Sequence, residues 1–88
     1  MGKVIQVTFA GATKTLPKRY IAKSDSTHIT TEYNPDLTDS ANMRFAANAV
    51  VREMNLEPAN YVHRIRYTIV ASGVMPDGRS EVFIAEVQ

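Results

Sequence analysis

The sequence predicts an α+β fold, in which a single helix packs on one face of an antiparallel sheet of about four to five strands. Short segments of alternating polarity lie on both sides of one long amphipathic segment, and turn-forming residues separate them. The predicted order is therefore β-(β-β)-α-β-β, with the bracketed pair forming a hairpin. Because the chain has 88 residues, we expect a single domain without a linker.

The first strand is predicted over Lys3–Phe9. Its apolar residues Ile5, Val7 and Phe9 occupy alternate positions, and this period of two is typical of a strand with one buried face. Residues 11–17 interrupt the alternation with a glycine and with a proline, which has no backbone N–H to donate to a sheet. We therefore expect a loop after this strand.

Two short strands, Arg19–Lys23 and His28–Tyr33, are predicted to form the hairpin. The first carries basic residues, which discourage unwanted pairing at a sheet edge, and the second is rich in β-branched and aromatic residues. The polar segment Ser24–Thr27 between them favours a turn, because short polar side chains bond to their own backbone.

The middle of the chain predicts the helix. Thr38, Asp39 and Ser40 are consecutive candidates for its N-cap, because each side chain can accept a hydrogen bond from a free helix N–H. The helix is expected to end near Asn55, which tolerates the left-handed C-cap geometry, and Pro58 forbids its continuation. The side chains expected to face the sheet recur at helical spacing: Met43, Ala46, Ala47, Val50 and Met54.

The last third of the chain predicts two strands joined by a turn. Tyr61–Ala71 alternates in polarity, which would place Ile69 and Ala71 on the same side of a long strand. The Asp-Gly pair within Met75–Arg79 is a strong hairpin signal, and Glu81–Val87 is predicted as the closing strand.

The outer side of the predicted helix carries the first candidate binding surface. Phe45 and Leu56 fall near one another on this side, with Arg44 and Arg52 beside them. A fully exposed phenylalanine is uncommon, whereas aromatic and arginine side chains are frequent anchors of protein interfaces. Either a loop or a rotation of the helix covers Phe45, or these four residues bind a protein partner.

The chain carries no recognisable catalytic or metal-binding pattern. It has no cysteine, and its two histidines, His28 and His63, are far apart in sequence and form no metal-ligand motif. Its serines lack a nucleophile-elbow setting, and no glycine-rich phosphate loop or acid–base carboxylate pair is present. We therefore expect no enzymatic activity, no catalytic residues, no metal and no cofactor.

A basic sheet face is the second candidate surface. Arg64 and Arg66 would project from one face of the long predicted strand, and Arg19 and Lys23 lie on a possible neighbour. Such a face, with a tyrosine beside it, would bind single-stranded nucleic acid through phosphate contacts and base stacking. Glutamates on adjacent strands would instead neutralise it through cross-strand ion pairs. The net charge of +1 provides no general attraction to nucleic acid.

The organisation of the chain resembles that of known small viral proteins. It opens on a strand, carries the alanine-rich amphipathic helix SANMRFAANAVVREMN and ends in YVHRIRYTIVASGVMPDGRSEVFIAEV. In this arrangement it is similar to the small accessory proteins of tailed bacteriophages, which include host-takeover and anti-defence inhibitors. The resemblance implies a protein that binds and blocks a host macromolecule.

Three functional hypotheses follow. The first is a non-enzymatic binding protein that blocks or modulates a protein partner, and the alternative is a nucleic-acid-binding module. The third is self-association, as a homodimer, through an edge strand or the helix. The absence of cysteine fits the cytoplasm, here that of a host cell, and no segment approaches the roughly 18 apolar residues of a membrane span, so no membrane partner is expected.

Overall fold

The structure, a computed structural model, describes residues 2–25 and 27–88. Its elements are β1 Lys3–Ala10, β2 Arg19–Lys23, β3 His28–Glu32, α1 Asp39–Leu56, α2 Pro58–Val62, β4 Tyr67–Val74 and β5 Ser80–Val87. The five strands form one antiparallel sheet in the order β3-β2-β1-β5-β4. The helix α1 packs against all five strands from one side. The predicted α+β fold is confirmed.

The hydrophobic core lies between α1 and this side of the sheet. Ile5 and Val7 of β1 and Phe83 of β5 are fully buried, and burying a side chain of this size stabilises a protein by about 1.5–3 kcal/mol. The buried residues of α1 are Asn42, Ala46, Ala47, Val50, Val51 and Met54. The predicted sheet-facing side of the helix is therefore confirmed, except that Met43 is only half-buried at its margin.

Both predicted hairpin turns are present. In the first, Ser24 N–H donates to the carbonyl of Thr27 at 2.8 Å; Ser26, in the middle of this turn, lies outside the described residues. In the second, Asp77 Oδ1 accepts from the N–H of Arg79 at 2.9 Å, and Gly78 adopts φ +70, which glycine tolerates without strain. The hydrogen bonds from Arg79 and Ser80 lower the pKa of the Asp77 carboxyl, because they favour its charged form.

The start of α1 is held by a buried asparagine. Thr38 is the N-cap, and its Oγ1 accepts from the N–H of Ala41 at 3.1 Å. The Asn42 Nδ2 donates to the carbonyls of Asn34, Leu37 and Thr38, and its Oδ1 accepts from the N–H of Asn34 at 2.9 Å. Asn42 is only 3% exposed, so its amide closes the β3–α1 connection against the helix.

The strand predicted over Tyr61–Ala71 is wrong in its first half. Pro58 starts a second helix, α2. The first N–H groups of a helix have no partner within the helix, so the N–H that proline lacks costs no hydrogen bond there, and its fixed φ suits the first turn. Strand β4 consequently begins only at Tyr67. The alternation of polarity through residues 61–66 is therefore not the signature of a strand.

A bulge in β4 also corrects the predicted faces of this strand. The pairing with β5 shifts between Ile69 and Ala71, so Val70 is an extra residue. Ile69 pairs with the buried Ala85, whereas Ala71 pairs with Ile84 on the opposite face. The prediction that Ile69 and Ala71 share a side was wrong, because one inserted residue reverses the alternation.

Candidate functional site

A groove lies between the C-terminal half of α1 and the segment 60–66, and it encloses about 890 Å³. Its lining combines three arginines, three asparagines and five apolar or aromatic residues: Arg52, Arg64, Arg66, Asn48, Asn55, Asn60, Val51, Leu56, Tyr61, Val62 and Ile65. No acidic residue of the described chain lines it. We call this site the arginine groove.

The end of α2 shapes one wall of the arginine groove. Ile65 N–H donates to the carbonyl of Asn60 at 2.8 Å, and Arg64 N–H donates to the carbonyl of Tyr61 at 3.2 Å. These two bonds are those of a Schellman motif, which requires a left-handed residue just after the helix. Arg64 is that residue, with φ 57. Glycine is usual there, and a side chain costs about 1 kcal/mol.

Two asparagines fix the walls of the groove to the rest of the fold. The Asn55 Oδ1 accepts from the N–H of Tyr67 at 2.7 Å, and its Nδ2 donates to the carbonyl of the same residue at 3.2 Å. The Asn60 Nδ2 donates to the carbonyl of Met54 at 2.7 Å and so adds a second hydrogen bond to a carbonyl in the last turn of α1, which also accepts from the N–H of Glu57. The backbone around the groove is thereby held in place by side-chain amides.

The arginine side chains of the groove are unpaired within the part of the chain that the structure describes. Within residues 2–25 and 27–88, the side chains of Arg52, Arg64 and Arg66 make no hydrogen bond, ion pair or cation–π contact. Three positive groups therefore share one lining that contains no carboxylate of the described residues, although the whole chain is nearly neutral. This arrangement favours an anionic ligand or surface.

Apolar side chains border the same groove. Leu56, Tyr61 and Val62 are 58%, 70% and 72% exposed, respectively. Large apolar side chains that cluster in water are typical of surfaces that bind another molecule. The groove therefore offers both positive charge and apolar area to one ligand.

The structure divides the residues predicted on the outer side of the helix. Arg52 and Leu56 lie in the arginine groove, and Phe45 is 59% exposed on α1, about two turns before Arg52 and three before Leu56. No loop of the described chain covers Phe45, so the prediction that a loop or a rotation of the helix buries it was wrong, and partner binding at this position stays a prediction. The Arg44 guanidinium instead lies 5.8 Å from the ring centroid of the buried Phe83, so it faces the sheet side of α1.

The residues predicted as a basic sheet face do not share one surface. Arg64 and Arg66 precede β4, and the groove places them on the helix side, so the prediction that they project from a strand was wrong. Arg19 and Lys23 lie on β2, facing away from the helix, and the Arg19 Nη1 donates to the carbonyl of Pro17 at 3.4 Å. Tyr20 is 1% exposed in the core, so it offers no ring to that face.

A second, smaller pocket of about 290 Å³ lies near the start of α1. Phe9, Tyr20 and Tyr33 line it, with ring centroids 5.4 Å apart in the first pair and 6.5 Å in the second. The Lys18 Nζ already lies 5.3 Å from the centre of the Tyr33 ring. Burial, and then the charge of Asp39, raise the pKa of Tyr20. The charged and aromatic groups of this second pocket thus contact one another, whereas those of the arginine groove do not.

Sequence reasoning missed seven of the eleven residues that line the arginine groove, and three of these, Asn60, Tyr61 and Val62, lie on α2. The signal that would have found them is Pro58, which can begin a short helix as well as end the preceding one. Among the described residues, no three histidine, aspartate or glutamate side chains lie close enough to hold a metal ion. Neither α1 nor any other helix of the described chain has the length and apolarity to cross a lipid bilayer.

The chain matches no protein-family model, no curated protein and no solved structure. The arginine groove is therefore the feature that points to a function.

Proposed function

We propose that this protein is a non-enzymatic binding protein that occupies and blocks an acidic surface of a partner protein through the arginine groove. The observation that carries the proposal is the convergence of three unpaired arginines with exposed Leu56, Tyr61 and Val62. The groove contains no acidic side chain that would compete for the arginines.

The chemistry of these side chains favours a carboxylate-bearing protein surface. A guanidinium binds a carboxylate through two parallel hydrogen bonds, and such charge-assisted bonds are stronger than neutral ones. The exposed apolar side chains add about 25 cal/mol for each Å² that a partner covers. Arginine and tyrosine are also among the residues most often found to dominate binding energy at protein interfaces.

The likeness to phage accessory proteins supports the same mode of action. A small protein that blocks a host macromolecule needs a rigid surface and no catalytic machinery. In this reading the partner is a host protein, the protein acts in the host cytoplasm, and Phe45 extends the contact along α1 beyond the groove. The proposal therefore joins Arg52 and Leu56 to residues 60–66 in one surface.

Single-stranded nucleic acid is the second candidate ligand. The observation that favours it is Tyr61, which is 70% exposed in the same groove as Arg64 and Arg66. An exposed ring can stack on a base while the guanidiniums contact phosphates. Binding of this kind would weaken steeply with salt, by nearly one unit of log–log slope for each phosphate contacted.

Capture from a bacterial lysate with and without nuclease separates these candidates. The immobilised wild-type chain is compared with Arg52→Ala/Arg64→Ala/Arg66→Ala and with the matched control Arg19→Ala/Lys23→Ala, which removes charge from the opposite side of the sheet. We expect an acidic protein that resists nuclease, binds the wild type and the control, and loses at least tenfold affinity for the groove variant.

Two results would contradict the proposal. If the groove variant keeps the affinity of the wild type for every captured protein, the arginine groove is not the binding surface. If nuclease removes the captured material and labelled single-stranded DNA of mixed sequence binds directly with a steep salt dependence, the nucleic-acid alternative is correct.

A further inference from the structure

The two edges of the sheet differ in length and in charge. The edge strand β3 has five residues and carries His28 and Glu32 at its ends. The other edge strand, β4, has eight residues, and from Tyr67 to Met75 it carries neither a charged side chain nor a proline. Charges, prolines and short length are the devices by which proteins protect sheet edges, so β4 lacks most of that protection.

The backbone of β4 is open on its outer side. Its only neighbour in the sheet is β5, which leaves the outward N–H and C=O groups without a strand partner. Asn55 binds the backbone of Tyr67, but among the described residues no hydrogen bond from outside the sheet reaches residues 68–74. This segment is therefore free to pair with another extended chain.

The side chains of β4 suit close approach by a second strand. Val70 and Val74 are 54% and 75% exposed, and between them lie the small residues Ala71, Ser72 and Gly73. Exposed β-branched residues provide apolar area, and small residues at the centre prevent steric conflict. The bulge at Val70 twists the edge locally, which limits pairing to one part of the strand.

We infer that β4 pairs with β4 of a second copy of this chain, antiparallel and about a two-fold axis. Pairing of an uncharged segment with itself opposes no like charges, whatever its register. Pairing of β4 with β3 of another copy would instead repeat without closing and form filaments. The short, charged β3 disfavours that arrangement, so the association closes as a dimer with one continuous sheet.

The dimer would present two arginine grooves in the same direction. A two-fold axis perpendicular to the sheet keeps both copies of α1 on one side, and each groove lies on the α1 side of its sheet. A partner with two acidic sites would then be held by both copies, which raises apparent affinity without new contacts. The dimer itself follows from β4 and does not depend on the proposed function.

Sedimentation equilibrium of the full chain tests this inference. One pair of strand edges buries less than the roughly 1,600 Å² of a standard interface, so we expect dissociation in the micromolar range. The mass should rise from 9.8 kDa towards twice that value with concentration. Val70→Lys should weaken association at least tenfold, because it places a charge on each of the two pairing edges, while the matched Thr30→Lys on exposed β3 should not.

Single-cysteine variants test the same pairing without a change of charge. Because the chain has no cysteine, each of Val70→Cys, Ala71→Cys, Ser72→Cys and Gly73→Cys introduces one thiol, and Thr30→Cys is the control. We expect rapid disulfide-linked dimers at one or two of the β4 positions and not at Thr30, since only residues near the axis bring their Cβ atoms close enough.

Three outcomes would overturn the inference. The wild type could remain monomeric at all concentrations, which leaves the edge to a strand from a different protein. The variants Val70→Lys and Thr30→Lys could dimerise with equal strength, which would place the interface elsewhere than at β4. The wild type could dimerise while none of the β4 cysteines forms a cross-link, or while Thr30→Cys cross-links as fast.

Discussion

At the N-terminal end of α1, Asn42 binds the backbone of residues 34–38, and at the C-terminal end, Asn55 binds the backbone of Tyr67. Both junctions therefore use a helix asparagine whose amide replaces missing backbone partners. They differ in what surrounds the amide. Asn42 is buried, whereas Asn55 lines the arginine groove.

Stability and candidate function therefore lie at opposite ends of one helix. The first junction joins β3 to α1 through a short connection that the buried Asn42 amide closes with four hydrogen bonds. The second contains an additional helix, a left-handed Arg64 and exposed apolar side chains, none of which is needed to connect α1 to β4. Backbone strain persists where the surrounding structure enforces it, and such sites are frequently functional.

Asn42→Ala should have the largest effect on stability. The substitution removes all four hydrogen bonds of a buried amide and leaves the Asn34 N–H and the Leu37 carbonyl without their side-chain partner, so we expect the free energy of unfolding to fall by about 3 kcal/mol. For a domain of this size the melting temperature should fall by roughly 15 °C. Thermal unfolding followed by circular dichroism measures this.

The control is Asn48→Ala, which makes the same change on an exposed position of the same helix. It should change the free energy of unfolding by less than about 0.5 kcal/mol. Equal destabilisation by the two variants would mean that the N-terminal junction is not held by the buried amide.

Asn55→Ala should have an intermediate effect. The two bonds to Tyr67 are lost, but this position is only part-buried and water can replace them, so we expect a loss of about 1–2 kcal/mol in urea unfolding. Hydrogen exchange should accelerate at the amide of Tyr67 and not at that of Asn34. Uniform acceleration across the chain would show that the two junctions are not independent.

Arg64→Gly should have the smallest effect on the free energy of unfolding, and it should raise this free energy, whereas the two asparagine variants lower it. Glycine relieves the left-handed strain at φ 57, although it also gains freedom in the unfolded chain, so stability should rise by about 0.5 kcal/mol. Arg66→Gly, two residues away without a positive φ, should not stabilise. A loss of stability in Arg64→Gly would show that the arginine side chain supports the fold.

The sequence predicted the layers of the fold but not the C-terminal junction, for a physical reason. Strands β1 and β5 show a period of two, and Ala46, Ala47 and Val50 show helical spacing. Both patterns arise from burial on one side of the element, so the sequence alone predicts them. Residues 61–66 alternate by coincidence, and the Schellman motif after α2 lacks the glycine that would have marked it.

The candidate site was predictable only in parts. Helical spacing identified Arg52 and Leu56, and charge identified Arg64 and Arg66, but each pair was assigned to a different surface. Their meeting depends on α2, which turns the chain back against the end of α1. No local pattern in the sequence encodes such a tertiary contact.

The affinity of Arg64→Gly for the protein captured by the wild type separates the role of the arginine groove in binding from the stability of the fold. This variant keeps or improves the fold while it removes one guanidinium from the arginine groove. If the groove binds an acidic surface, affinity should fall about tenfold or more in isothermal titration while stability does not fall. Unchanged or tighter binding by a fully folded Arg64→Gly would contradict the account.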